Sequence, residues 1–374
     1  MDFKTILEAG NLESRRVLVR VDWNVPFEGK KVGDGYRIEK SLQTIKHLQD
    51  AGARVVLISH LDPPETDSMQ YVYEYVKKLL KIDFCKDIVG GEAKKAVANL
   101  KDGEVLLLEN LRLDEGEMNN SRDFALTLSS YGNIFVNEAF SESHREYSSI
   151  VGIPKLLPSF AGFHFTEEVQ KLSKVFYPKR PFVFVLGGAK FETKLPLIEK
   201  FMHIADSIFV GGALAHNFFK EQGIEIGDSL VSQGEFNLKE ELESGKVILP
   251  EDVVVMNGPE KRIDAVANLK TGDTIVDVGP NTLLKLKESL ARASSVLWNG
   301  PLGNYELGYK QGTLELARML EQSRAEVIVG GADTLSATKE INLFNKVYFI
   351  STGGGAMLDF LSAGTLPGIE ALKR

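Results

Sequence analysis

Short apolar runs rich in Val, Ile and Leu recur along this chain, and each leads into Gly, Asp, Asn or His followed by a helical pattern. That alternation constrains the fold most, because a buried strand feeding an amphipathic helix is the repeating unit of a parallel α/β sheet. The first half predicts strands over 17–21, 54–59, 104–108 and 133–136. The second predicts them over 182–186, 207–210, 253–256, 274–276, 295–298, 326–329 and 346–350. These suffice for two sheets, and 374 residues with 43% hydrophobic content can bury a core around each.

Between the halves, residues 166–177 are helical in pattern and end at Pro178 and Pro181, which cannot continue a helix. A domain boundary is expected there. The longest apolar runs are strand-sized, far short of the roughly 20 residues of a membrane span. The N-terminal stretch MDFKTILEAGNLESRR lacks the basic, apolar and small-residue regions of a secretory signal, so a cytoplasmic protein is expected. A single cysteine, Cys85, excludes an intramolecular disulfide and reads as a small buried hydrophobe. The net charge of −8 argues against nucleic-acid binding. An anionic ligand would have to be held by local basic groups against the global sign.

In an open parallel sheet, ligands bind beyond the carboxyl ends of the strands. The first four strands run into Asp22-Trp23-Asn24, Ser59-His60, Glu109-Asn110-Leu111-Arg112 and Asn137-Glu138, with His144-Arg145 a few residues on. Arg37 opens a helix at the same edge. One rim thus collects Arg, His and Asn groups, the composition of a phosphate or carboxylate pocket. Taken singly, each residue reads more readily as a scattered surface group, and His60 and His144 as hydrogen-bonded capping histidines; neither has metal-ligand spacing.

Five strands of the second half run into small-residue loops: LGGAKFETK (186–194), VGGALAHNF (210–218), LWNGPLGNYE (297–306), VGGADT (329–334) and STGGGAML (351–358). Glycine lets backbone amides approach oxygen atoms, and a following helix N-terminus favours anions, so a nucleotide cleft is expected on this rim. Any one loop reads also as plain turn chemistry. Neither GxxxxGK[ST] nor GxGxxG occurs. Lys190 and Lys194, four apart, would share a helix face, either as solvated lysines or as a phosphate clamp. Asp333 reads as an N-cap or as a magnesium-bound carboxylate.

In order, RVDWNVP, GYRIEKSLQTIKHL, SHL, LLLENLR, NEAFSESHREYSSIVG, GGAKFETKL, WNGPLGNYE, GGADT and STGGGAMLDFLSAGTLPGIEAL closely resemble the phosphoglycerate kinases, over nearly the whole chain. The resemblance implies an α/β fold of two Rossmann-like three-layer (αβα) domains with parallel sheets, joined by a long helix across a hinged cleft. It implies a 3-phosphoglycerate domain over 1–165, the joining helix over 166–178 and a Mg-nucleotide domain over 179–360. Residues 361–374 would form a tail packing back on the first domain. The implied reaction is reversible: 3-phosphoglycerate and ATP give 1,3-bisphosphoglycerate and ADP in glycolysis and gluconeogenesis.

Carried over by motif, Asp22, Asn24, Arg37, His60, Arg112 and Arg145 would line the phosphoglycerate site, with Arg37, Lys190 and Lys194 catalytic. Gly188, Ala189, Lys194, Gly212, Asn299, Pro301, Glu306, Gly330, Gly331, Ala332, Asp333 and Thr334 would meet the nucleotide. Asp333 would hold Mg2+. The substrate carboxylate would itself be the nucleophile, so no general base is needed. Arg37 and Lys194 would converge on the moving phosphoryl when the cleft closes, which suits a monomer with no membrane or nucleic-acid partner.

The chain departs from the family pattern at SHLGRP, where it has Ser59-His60-Leu61-Asp62-Pro63-Pro64. Pro63 replaces a substrate-contacting arginine, a loss of about 1.5 to 3 kcal/mol that predicts a raised Michaelis constant for 3-phosphoglycerate. Glu138, Ser141, Ala213, Ala332 and Asn304 are lesser departures, with Ser141 expected to stiffen the loop carrying His144 and Arg145. Two other readings stand beside the enzyme: a non-catalytic nucleotide-binding regulatory member of the fold, and a different acid kinase or dinucleotide enzyme. Pro63 supports the former, and the missing GxGxxG weakens the latter.

Overall fold

The computed structural model describes residues 2–62, 67–341 and 347–373, with backbone alone at Ala332 and Asp333. The strand Arg16–Arg20 is buried on both faces, Val17 and Val19 entering one apolar cluster and Leu18 another. A strand flanked by two cores is what a parallel sheet covered by helices requires. The six-stranded sheet around it runs in the order Asp83–Phe84, Val105–Leu107, Arg54–Ile58, Arg16–Arg20, Ile134–Asn137, Ser159–Ala161, all pairs parallel. The helix Tyr36–Asp50 covers it with Ile38, Ser41, Ile45 and Leu48, the spacing of a single helix face. Gly52, at a φ of +73°, reverses the chain after it.

The second six-stranded sheet is also parallel, in the order Val247–Ile248, Ser207–Val210, Phe182–Leu186, Ser295–Asn299, Glu326–Gly330, Phe349–Ile350. The expected strands over 253–256 and 274–276 are real but lie elsewhere. Asp252–Asn257, Glu260–Ala265 and Thr274–Val278 form a separate antiparallel sheet. Val253 and Val255 pack on Ala215 and Phe219, so the apolar run serves a satellite core.

The chain divides into two compact units, Met1–Gln170 with Ala363–Arg374, and Lys171–Ser362. The helix expected from residue 166 begins at Phe163 and passes into a 3-10 turn at Lys174–Phe176. Its early start has a tertiary cause. The Thr44 hydroxyl accepts from Phe163 N at 2.9 Å, and the Glu138 carboxylate accepts from His164 N and Phe165 N at 3.0 and 3.2 Å. These bonds satisfy amides that a helix leaves open at its first turn.

Candidate active site

In each main sheet the chain leaves the first strand to one side and later returns to the other, and the crevice at that switch point opens beyond the strand ends. In the first unit it lies between Arg16–Arg20 and Ile134–Asn137, where the loops bring Asp22 and Ser141 together. The Ser141 hydroxyl donates to Asp22 Oδ2, and Arg37 Nη1 pairs with the same oxygen at 2.8 Å. Burial pushes the Asp22 carboxyl up, but the Arg37 guanidinium, with the Ser141 bond and Arg20, holds it down to about 2. Ser141 thus acts on Asp22 directly, beyond the loop stiffening expected of it.

His60 is fully buried. Arg20 Nη2 lies 3.1 Å from its Nδ1, and a guanidinium can only donate, so Nδ1 accepts and the neutral ring carries its proton on Nε2. Burial, Arg20 and other cations drive the imidazole well below its usual range, despite Asp22. Arg20 is itself fully buried, with further bonds to the Ser149 hydroxyl at 2.9 Å and the Val21 carbonyl at 2.6 Å. Sequence reading missed it because it sits inside the apolar run RVLVRVD, where an arginine reads as a strand-edge surface residue.

Asn24 exchanges two bonds with Asp62, at 3.2 and 3.3 Å. Arg112 pairs through Nη1 with Asp62 and through Nη2 with Glu142 Oε2 at 3.1 Å, and lies over the Tyr147 ring at 5.6 Å. Asp22, Asn24, Arg37, His60 and Arg112 therefore form one linked cluster. Arg145 stays exposed, its charge felt at Glu142. The carboxylates Asp62 and Glu142 are additions that the search for basic groups did not seek. Pro63 lies outside the described residues.

In the second unit the switch point falls between Phe182–Leu186 and Ser295–Asn299. Their loops are bonded to each other: Gly187 N donates to the Asn299 carbonyl at 2.8 Å and Gly188 N to the Pro301 carbonyl at 2.9 Å. Gly212 N reaches the Leu302 carbonyl at 3.1 Å. A Cβ on Gly187 would lie 2.1 Å from the Pro301 carbonyl oxygen, so glycine there is a packing requirement. Lys194, 8% exposed, donates from Nζ to the Gly187 carbonyl, and its ammonium sits against both Gly188 and Gly300. The two lysines do not share a helix face. Lys190 is the exposed N-cap residue with non-helical ψ of 87°, and only Lys194 lies inside the helix Phe191–Met202.

Asn299 Nδ2 donates to the Gly330 carbonyl at 3.0 Å, and Gly300 N to the Thr334 hydroxyl at 2.8 Å. Gly331, at a φ of +102°, turns the chain into the helix Ala332–Glu340. The side chains of Ala332 and Asp333 lie outside the described residues. Beside these loops is a cavity of about 270 Å3 whose lining includes Gly188, Gly212, His216, Asp277, Pro301 and Glu306. Asn304 lines it too, accepting from Leu307 N at 3.4 Å, and Ala213 and Ala189 complete its glycine side.

His216 and Asp277 escaped sequence reading. Burial lowers the His216 imidazole to about 4 against its bond to the Leu230 carbonyl. It raises the Asp277 carboxyl to about 6, although Gly312 N and Val278 N both donate to it at 2.9 Å. A half-open cavity, more apolar than polar, with a few convergent polar groups and glycine-loop amides at one end suits a nucleotide's base, sugar and phosphates.

Among the described residues, no group of three or more His, Cys, Asp or Glu is arranged to hold a metal. No helix among the described residues is long and apolar enough to cross a membrane.

Residues 7–364 match the family model described as phosphoglycerate kinase. The phosphoglycerate kinase of Coprothermobacter proteolyticus is 39% identical over 390 residues, covering 100% of this chain and 99% of that protein. That of Chlorobium phaeobacteroides is 39% identical over 397 residues, covering both proteins completely. Among solved structures, phosphoglycerate kinase from Coxiella burnetii aligns with a TM-score of 0.85 at 33% identity, over 99% of this chain and 98% of that one.

Proposed function

We infer the roles of individual residues from one premise: the chain belongs to the phosphoglycerate kinase family. The enzyme transfers a phosphoryl group reversibly between ATP and the carboxylate of 3-phosphoglycerate, forming 1,3-bisphosphoglycerate and ADP. We assign the acid substrate to the first unit, on Asp22, Asn24, Arg37, His60, Arg112 and Arg145. The nucleotide is assigned to the second unit, on Lys194 and the loops at 188–189, 212, 299–301, 306 and 330–334.

The observation that carries this assignment is the burial of Lys194 against the Gly187, Gly188 and Gly300 backbone. A buried ammonium at the mouth of a glycine cradle supports neutralisation of charge on a moving phosphoryl group, the chief task in such a transfer. The neutral His60, with its proton on Nε2, is suited to donate to a substrate oxygen and not to remove a proton. This agrees with a reaction whose nucleophile is already a carboxylate. Arg37, anchored by the Asp22 carboxylate and the Asn24 carbonyl, carries its guanidinium charge toward the transferring group or the substrate carboxylate. Lys190, exposed at the helix start, serves the phosphates more loosely.

Asp333, at the first turn of the helix after Gly331, would hold Mg2+, which when bound supplies charge neutralisation at the β- and γ-phosphates. We propose further that the enzyme works in the cytoplasm as a monomer, with no membrane or nucleic-acid partner. A coupled assay with 3-phosphoglycerate, ATP and magnesium tests the assignment. Turnover by the wild type, lost by about a hundredfold or more in both Arg37→Ala and Lys194→Ala, is expected. Measurable Mg-ATP binding without wild-type turnover would point instead to a regulatory binding protein.

A further inference from the structure

The groups assigned to the acid substrate are already engaged with carboxylates of the chain itself. Arg112 holds Asp62 on Nη1 and Glu142 on Nη2, the latter at 3.1 Å. Asn24 donates to Asp62 Oδ2 at 3.3 Å and accepts from Asp62 N at 3.2 Å. His60 Nε2, fully buried, lies 4.0 Å from Asp62 Oδ2 and 3.5 Å from Glu142 Oε1. Among the described residues, neither that nitrogen nor Arg112 Nε has a hydrogen-bond partner. The cluster is therefore a built anion subsite with unspent donors, and a carboxylate rests on it.

The two acids differ in freedom. The Glu142 side chain is 13% exposed, while that of Asp62 is 51% exposed. An incoming anion can displace Asp62 into water at small desolvation cost, whereas Glu142 is held in place. We propose that Asp62 is a specificity-determining residue: a tethered carboxylate occupying the Asn24, His60 and Arg112 subsite, which a ligand must displace in order to bind. The proposal rests on the assignment of that subsite to 3-phosphoglycerate.

A consequence is selection by the number of anionic ends. A ligand that also meets a second cation, such as Arg37, gains a second contact once the first is made, which offsets the displacement. A single-headed anion such as inorganic phosphate has no such compensation. Tethering also keeps the competing carboxylate at constant local concentration, so free anions in the medium are disfavoured continuously. Asp62 is exposed enough that its replacement leaves the fold intact, which a melting curve checks.

Calorimetric binding of 3-phosphoglycerate to the wild type, Asp62→Asn and Asp62→Ala, without nucleotide, is the test. Both variants should bind about three- to fivefold more tightly, the size of a half-exposed ion pair removed from competition. Inorganic phosphate should compete with 3-phosphoglycerate at lower concentration in the variants than in the wild type. In turnover, the Michaelis constant for 3-phosphoglycerate should fall while that for Mg-ATP stays. Unchanged or weaker binding in both variants, or no measurable binding to any of the three proteins, overturns the proposal. Wild-type turnover with unchanged affinities sinks this inference and leaves the enzyme assignment standing. Absent turnover with tighter binding by the variants does the reverse.

Discussion

His216 donates its Nδ1 proton to the Leu230 carbonyl at 2.6 Å, and burial lowers its imidazole to about 4. An unfolded histidine titrates near 6.5, so below that pH the unfolded chain binds a proton that the folded chain refuses. Stability of the second unit should therefore fall as pH drops from about 6.5 to about 4, by up to about 1.4 kcal/mol per pH unit from this residue. His60 acts with the same sign in the first unit. His164, raised because Glu167, Glu168 and Glu138 outweigh its burial, acts with the opposite sign and at higher pH. Urea unfolding of the wild type and His216→Asn at pH 4.5 and 7 should show the smaller loss on acidification in the variant; equal losses would contradict the assignment. The meeting of Asp22, Asn24, Arg37, His60 and Arg112 was legible because four of them follow strand ends and Arg37 opens a helix at the same edge. Arg20 was hidden by its apolar run. Asp62 and Glu142 were hidden because a search for anion binders passes over acids, and His216 and Asp277 because no local motif marks a cavity wall.

At the level of elements, the glycine loops divide into those that need glycine for contact and those that need it only for backbone shape. Gly212, at a φ of +58°, has both needs, since a Cβ there would lie 2.8 Å from Gly188 N and O and 3.0 Å from the Pro301 carbonyl oxygen. Gly223, at +74°, closes a helix with nothing within 4 Å of the same position. Gly212→Ala should therefore cost about 1 to 3 kcal/mol and also weaken Mg-ADP binding, because the bonded loops at 188 and 301 must shift. Gly223→Ala should cost about 1 kcal/mol and leave nucleotide affinity alone. Equal nucleotide affinity in both variants would mean that the loop contact plays no part in binding. The main strands were legible from apolar runs, which are long where both sheet faces are covered. The antiparallel sheet was misread because Val253–Met256 has the same composition. Its partner Glu260–Ala265 is mostly polar and leaves no such trace.

Across the whole molecule, the first unit is discontinuous in sequence, and its last segment braces the loops that follow the strand Ile134–Asn137. Leu366, Ile369 and Leu372 are buried, and the helix Pro367–Leu372 packs on the turn Ser148–Gly152. Gly368 N donates to the Ser143 carbonyl at 2.8 Å, and a Cβ on Gly368 would lie 2.6 Å from the Ser143 side chain. Ser143 in turn accepts from Asn137 at 3.1 Å and donates to the Ala139 carbonyl at 2.8 Å. It therefore pins the turn that carries Ser141, Glu142 and Arg145. Three buried aliphatic side chains are worth about 5 kcal/mol, comparable with the whole stability of a marginal domain. Removal of residues 364–374 should lower the unfolding temperature of the first unit and raise the Michaelis constant for 3-phosphoglycerate. The second unit has its own sheet and core, so its affinity for Mg-ADP should not change. Calorimetry resolves the two, because Mg-ADP at a hundredfold excess over its dissociation constant should stabilise the second unit alone by about 2.7 kcal/mol. If the truncated chain loses Mg-ADP affinity in step with its first transition, the two units fold as one and their separate cores do not confer separate stability.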